Sequence, residues 1–317
     1  MQESNHLKRI KSSFVLLAIG IPLLIISKWT YALVIAFFLF LACKEFLEIT
    51  DRLEFSLNKN VFRLTVLVCF SSSLVSKEFL DLCFFFAILF TLFFHTAKFF
   101  SFFDNSSLKF LDQSATAKNF QKEARKTLFQ SFLFIFGLFY ISWMPGHEIL
   151  LRSAGPEINQ NFLNLNLPFD FFSFNQGLFF LVLVRTSVIV NDICSYYFGK
   201  HLGKHKLSKV ISPNKTLEGS LSGILFGILV PILLYLLLSN LLFTELNLPE
   251  IKIIELLFFL LLINLIAQTG DLFESLIKRA ASKKDSGDFF SGQGGIMDRC
   301  DSHVLTALPT YYFFFII

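Results

Sequence analysis

Apolar stretches long enough to cross a membrane recur along this chain, separated by shorter polar segments. A bilayer core of about 30 Å takes about 20 mostly apolar residues in a helix, with tolerance for tilt. Runs of that kind fall near residues 12 to 28, 30 to 47, 61 to 76, 79 to 97, 127 to 146, 176 to 198, 219 to 243, 251 to 271 and 302 to 317. The pattern predicts an all-α, polytopic integral membrane protein with about nine transmembrane helices. The third run is the weakest of the set, and Pro309 interrupts the last.

Polar residues are distributed unevenly over this map. Residues 1–175 hold spans one to five with their connecting loops and are nearly featureless. Residues 176–317 hold spans six to nine, and there ionisable and amide side chains enter the apolar runs, which marks this half as the one carrying chemistry. No internal repeat of the sort that builds inverted-repeat transporters is visible.

Composition agrees with a membrane protein and argues against a soluble domain. The 317 residues are 54% hydrophobic and 16% charged with a mean hydropathy of +0.62, whereas soluble domains carry about a quarter charged residues. The 44 Phe are spread over most apolar runs and are expected to be lipid-facing bulk. The Cys at 43, 69, 83, 194 and 300 form no CxxC pair, so neither a disulfide framework nor a zinc site is implied. The start, MQESNHLKRIK, resembles the charged region of a signal peptide, but no small-residue cleavage site follows; a retained first helix is expected.

The net charge of +4 says less than the placement of the cations. With the N-terminus cytoplasmic, the outer segments keep only Lys28, Lys77, Arg152 and Lys252, and Arg185 lies within a span. The rest of the 28 Lys and Arg fall on the inner side, as the positive-inside rule requires. That places the two densest charged stretches, KRAASKKDSGD at 278 to 288 and GGIMDRCDSH at 294 to 303, on the cytoplasmic face.

Candidate chemistry concentrates in three places. Span six carries Arg185, Asn191, Asp192, Ser195 and Tyr196, and Arg185 and Asp192 are two helical turns apart, able to line one cavity. The stretch ISPNKTLEGSLSG, 211 to 223, has Ser212 and Pro213 for a turn and helix start, Lys215 to reach phosphate, and Glu218 to accept from a base or ligate a metal. Gly219, Gly223 and Gly227, each four apart, predict close helix packing. His201 and His205 are also four apart, but no acid joins them as in a zinc helix, so they are expected at a solvated surface.

Span eight ends AQTGDLFESLIKRAASKKD, with Asn264 and Gln268 ahead of the charges. If the helix continues, Asp271, Lys278 and Asp285 recur every seven residues with Glu274 and Ser275 beside them. Glu274 and Lys278 also form a favourable i, i+4 pair. Gly292, Gly294 and Gly295 then predict a tight turn before Asp298 and Asp301, whose spacing lets both carboxylates share a hard cation. Arg299 lies between them, suited to an anion that the metal also holds, and the N-terminus of the last helix adds partial positive charge. Cations and carboxylates in one short segment suit a ligand bearing both phosphate and metal.

At these residues the chain resembles the phosphatidate cytidylyltransferases. The signature appears as Ser275-Leu-Ile-Lys278-Arg279, then Lys284-Asp285, then Gln293-Gly294-Gly295-Ile-Met-Asp298-Arg299-Cys300-Asp301; a second motif appears as Ser212-Pro-Asn-Lys215-Thr216-Leu-Glu218-Gly219, and a third as Asp192-Ile-Cys-Ser195-Tyr196-Tyr-Phe-Gly199. The resemblance covers about residues 185 to 305. Departures are Gln293 where His is usual, Ser291 for Pro or Gly, and Ser195 for Ala.

The resemblance implies transfer of CMP from CTP to phosphatidate, giving CDP-diacylglycerol and pyrophosphate. It implies catalytic roles for Asp271, Lys278, Arg279, Asp285, Asp298 and Arg299, and substrate contacts from Asp192, Tyr196, Ser212, Lys215, Thr216, Glu218 and Lys284. Asp271, Asp298 and Asp301 would hold Mg²⁺, as one or two divalent ions or with an additional monovalent cation. The expected partners are CTP, phosphatidate and the bilayer, not nucleic acid, with a homodimer open. The expected location is the inner membrane, with the site facing the cytoplasm. A CTP-dependent lipid alcohol kinase and a cation transporter are the alternatives.

Overall fold

The computed structural model describes residues 23–24, 26–105, 113–155, 175–208, 210–246, 251–289 and 294–316. The helices are α1 (Lys28–Arg52), α2 (Lys59–Ser72), α3 (Lys77–Asn105), α4 (Gln113–Leu138), α5 (Met144–Arg152), α6 (Gln176–Leu202), α7 (Leu217–Leu246), α8 (Ile253–Ala280) and α9 (Met297–Ile316). Among the described residues, five helical stretches are long and apolar enough to cross a membrane: Lys77–Ser101, Lys118–Arg152, Gln176–Leu202, Leu217–Leu238 and Ile253–Ala280. Residues 12–22 and 25 of the expected first span, 12 to 28, fall outside the described residues, as do Ser291, Gly292 and Gln293.

Several elements differ from the apolar runs for local reasons. At 14 residues, α2 extends about 21 Å, short of the bilayer core. It stops where Ser71, Ser72 and Ser73 turn their hydroxyls back onto the carbonyls of Val68, Cys69 and Phe70, in competition with the helical ladder. Between α4 and α5 the chain passes through a π-helical turn, Phe139–Trp143. Pro145 lies just beyond; its ring would meet the Ile141 carbonyl in a regular helix, and the wider turn relieves that conflict. Contrary to the expected interruption, α9 runs through Pro309.

Two apolar cores form. One joins α1, α2, α4 and α5 around Phe46, Phe62, Phe134 and Leu151. The other joins α6 and α8 around Phe180, Leu256, Leu260 and Ile263. Helix α9 touches both, burying Met297 and Tyr311 in the first and packing Phe313 and Phe314 on the second. Phe is thus not only lipid-facing: Phe46, Phe62, Phe134 and Phe180 are buried, while Phe37, Phe40, Phe85 and Phe93 are exposed.

Helix α7 divides its faces by a four-residue rhythm. Leu221, Leu225, Leu229, Leu233 and Leu237 are exposed and suit lipid. Gly219, Gly223 and Gly227 lie on the packed face, where a Cβ at Gly219 would reach the Ser195 carbonyl and one at Gly227 the Asn264 side chain. This is the close approach expected of small residues at that spacing. It lets amides cross-link the helices. Asn264 donates to Ser187 Oγ at 2.9 Å, Gln268 donates to Asn191 at 2.9 Å and to the Ser220 carbonyl at 3.0 Å, and Ser187 donates to the Gly227 carbonyl at 2.7 Å.

Candidate active site

The polar ladder between α6, α7 and α8 leads to one end of the bundle, and the three motif segments meet there. The loop before α7 is held by its own residues. Thr216 caps α7 by accepting the Gly219 N–H at 3.2 Å. Glu218 accepts the Lys204 and His205 N–H groups at 3.0 and 3.2 Å and the His205 ring at 2.6 Å. Lys206 bridges antiparallel to Thr216, and the Ser212 carbonyl accepts the Lys215 N–H at 3.2 Å. These contacts leave the Lys215 side chain projecting, and it forms an ion pair with Asp271 on α8.

His201 and His205 are exposed, as expected of a solvated surface, and Glu218 takes His205 across the loop. The same contact commits Glu218 to holding the loop. Gly203, Gly199 and Gly219 crowd around Thr216, which seals the turn onto α6.

On α8, Lys278 is buried and pairs with both Glu274 and Asp298. Asp298 Oδ2 accepts from Gly295 N at 2.7 Å, Ser286 N at 2.8 Å and Ser286 Oγ at 2.9 Å. Burial alone would raise the Asp298 pKa, but Lys278 and these N–H groups hold the carboxyl below the usual carboxylate range. Gly294, at φ +85°, makes the turn that brings the Gly295 N–H onto that oxygen.

Asp301, ahead of the apolar part of α9, is buried and takes the Ser302 N–H at 2.7 Å. Burial first, then the carboxylates of Asp271, Glu274 and Asp192, push its pKa well above the usual range. Asp192 in turn lies in the field of Asp271, Lys215 and Arg299 and beside Ser302. Asp192, Lys215, Asp271, Asp301 and Arg299 thus share one neighbourhood, with Lys278, Glu274 and Asp298 next to it.

Other expected residues are placed differently. Helix α8 ends at Ala280, with Ser282 at φ +55°, so Asp285 does not extend the Asp271–Lys278 face. Lys284 and Asp285 are exposed on the following loop. Arg279 is exposed and reaches toward the Ile211 carbonyl at 3.5 Å. Tyr196 is exposed and sets its ring edge-on to Tyr197. Arg185 does not line a cavity with Asp192; it pairs with Glu148, which also accepts the Tyr31 hydroxyl at 2.6 Å. The N-terminus of α9, expected to attract a substrate anion, is already capped: Ile296 N and Met297 N donate to Glu45 at 2.8 and 3.0 Å.

Sequence reasoning missed Glu45, Glu148 and Ser286, and it read Glu274 only as a helix-surface pair. Isolated acids in apolar helices carry no spacing signal. Their being ionisable at membrane depth was the one available hint.

Among the described residues, no group of three His, Cys, Asp or Glu stands at metal-ligating spacing. The chemistry of the donors nevertheless fits a hard cation. Asp301 is buried, Asp271 half-buried and Asp192 exposed beside them, so that three hard oxygen donors lie near one another, and Glu274 Oε1 is buried without a hydrogen-bond partner among the described residues. A cation at Asp298 would first have to displace Lys278, and one at Asp271 would have to displace the more exposed Lys215.

A sequence model of the cytidylyltransferase family matches residues 7–317. The chain is 35% identical over 188 residues to the phosphatidate cytidylyltransferase of Synechocystis sp., an alignment covering 56% of this chain and 60% of that protein. It is 38% identical over 141 residues to the phosphatidate cytidylyltransferase of Staphylococcus aureus, covering 44% and 51%. The enzyme of the same name from Staphylococcus haemolyticus is 38% identical over 128 residues, covering 40% and 46%. The chain therefore spans about half the length of the relatives it matches.

Proposed function

The chain belongs to the cytidylyltransferase family, and from that premise we propose that it transfers CMP from CTP to phosphatidate at the end of the bundle where Lys215 meets Asp271. An oxygen of the lipid phosphate attacks the α-phosphorus of CTP, the bond to the β-phosphate breaks, and pyrophosphate leaves. The nucleophile is a phosphate monoester whose second pKa is about 6, so no strong base is required. What the site must supply is relief of repulsion between two polyanions and in-line placement.

The observation that carries this reading is the Lys215–Asp271 ion pair. It joins the Ser212–Gly219 motif to α8 four residues ahead of the Ser275 signature, beside Asp192 of the third motif and Arg299 and Asp301 of that signature. Lys215 and Arg299 would meet polyphosphate oxygens, while Lys278, which pairs with Glu274 and Asp298, would order the loop and the start of α9. Arg279 and Lys284, exposed at the same end, would steer the anions in. Asp271 and Asp301 are the residues we assign to Mg²⁺, with Asp192 and Glu274 beside them. When bound, the ion would neutralise developing charge on the phosphates.

In this reading the site faces the cytoplasm, where CTP is present, and the lipid enters sideways from the inner membrane. The test uses purified protein in detergent with phosphatidate or, separately, a long-chain lipid alcohol as acceptor, and CTP labelled either in cytidine or at the γ-phosphate. Cytidine label is expected in the lipid and γ-label in pyrophosphate. Transfer of γ-label alone to a lipid alcohol would make the protein a kinase instead.

A further inference from the structure

Glu45 belongs to none of the motifs and sits on α1, 251 residues before Ile296, to which it is hydrogen-bonded. It is 6% exposed. Its two oxygens accept from Ile296 N at 2.8 Å, Met297 N at 3.0 Å and Ser286 Oγ at 2.7 Å. A buried carboxylate costs several kcal/mol unless donors surround it, and the start of a helix has N–H groups without helical partners. Each therefore satisfies the other, and the helix dipole favours the negative charge there.

Two glycines in the described parts of the segment between α8 and α9 close on this side chain. A Cβ at Gly287 would lie 2.7 Å from Glu45 Oε1, and a Cβ at Gly295 would collide with the same carboxylate and with Ser286 Oγ. Ser286 extends the link, because its N–H bonds Asp298 Oδ2 while its hydroxyl lies between Glu45 and Asp298. Asp298 then pairs with Lys278. A second contact from the same helix, Glu48 to Lys283 at 3.3 Å, is more exposed and correspondingly weaker.

We propose that Glu45 is a positioning residue: by capping α9 and holding Ser286, it sets where Asp298, Arg299 and Asp301 stand, and makes α1 part of the catalytic apparatus. The catalytic part of this inference rests on the cytidylyltransferase reading; the structural part does not.

The experiment compares the full-length protein with Glu45→Gln and Glu45→Asp in detergent, by amide hydrogen exchange and by steady-state kinetics. Gln retains the shape but turns an NH₂ group toward N–H donors. Exchange of the 286–298 amides is expected to rise about tenfold or more in Glu45→Gln, with peptides of α6 and α7 unchanged. In the same protein kcat should fall about tenfold with KM for CTP within about twofold, and Glu45→Asp should recover part of both. Should Glu45→Gln not fold, Gly295→Ala perturbs the same contact from the loop side and should give the same two signatures. Unchanged exchange would overturn the proposal, and raised exchange with unchanged kcat would overturn its catalytic half. A wild-type protein that transfers no CMP would sink the functional reading, while the exchange measurement would still decide whether Glu45 holds α9.

Discussion

Lys215 and Asp271 lie 56 residues apart in sequence and form an ion pair between the loop before α7 and the middle of α8. The two side chains are 30% and 27% exposed, so solvent screens the pair and its share of stability is small. Its position beside Asp192, Asp301 and Arg299 is what the proposed CMP transfer would use.

Asp271→Asn and Lys215→Ala should therefore separate stability from activity. Each is expected to change folding stability by about 1 kcal/mol or less, while cytidine transfer falls by about a hundredfold or more. Thermal unfolding and labelled-CTP assays on the same preparations check this. Near-normal turnover in Asp271→Asn would remove that residue from the site.

Gly294→Ala forces a side chain onto φ +85° and brings its Cβ to 3.0 Å from Asp298 Cγ. A loss of about 1–3 kcal/mol is expected, through strain and through displacement of a carboxylate that three donors hold. Thermal denaturation and turnover should both drop. An unchanged midpoint would mean that the turn relaxes freely.

Gly227→Val places a branched side chain against Asn264, which donates to Ser187 Oγ and to the Leu260 carbonyl. Overpacking at this crossing should cost about 1–3 kcal/mol and loosen α7 from α8. Unfolding in graded denaturing detergent measures it. Leu229→Val, on the exposed stripe of the same helix, should be nearly silent.

Glu148→Gln leaves the half-buried Arg185 guanidinium without its counter-charge. Removing the buried partner of this half-buried pair should cost about 2–3 kcal/mol, whereas Tyr31→Phe, which removes a hydroxyl that donates to the same carboxylate and accepts from Arg185 at 3.4 Å, should cost about 1 kcal/mol. Equal effects would show that the Arg185 charge is compensated elsewhere.

The lowered pKa of Asp298 fixes the sign of one pH effect. Its folded value lies below the unfolded value of about 3.9, so its stabilisation is complete above that pH and is lost as pH falls through the folded value. From about pH 5 upward this group contributes no slope. Asp298→Asn should flatten the acid limb of the stability curve and leave the neutral region parallel to wild type.

Much of the fold was legible because bilayer length and hydropathy are local properties. Helix α6 begins at Gln176 as the apolar run predicted, and the Gly219–Gly223–Gly227 spacing found its packing partners. Helix ends were less so. The heptad through Asp271 and Lys278 was projected on to Asp285, but the chain leaves the helix at Ala281, where continuation would have carried the loop away from Glu45.

Which stretches are long and apolar enough to cross a membrane and where the cations cluster follow from the order of side chains along the chain, because hydrophobic length and cation placement need no partner to be read. Only the tertiary structure decided that Glu45 caps α9, that Lys278 serves Asp298 as well as Glu274, and that Arg185 turns to Glu148 rather than Asp192. Those pairings depend on which buried charge finds a donor across the bundle. That is a property of the packed helices and not of any one of them.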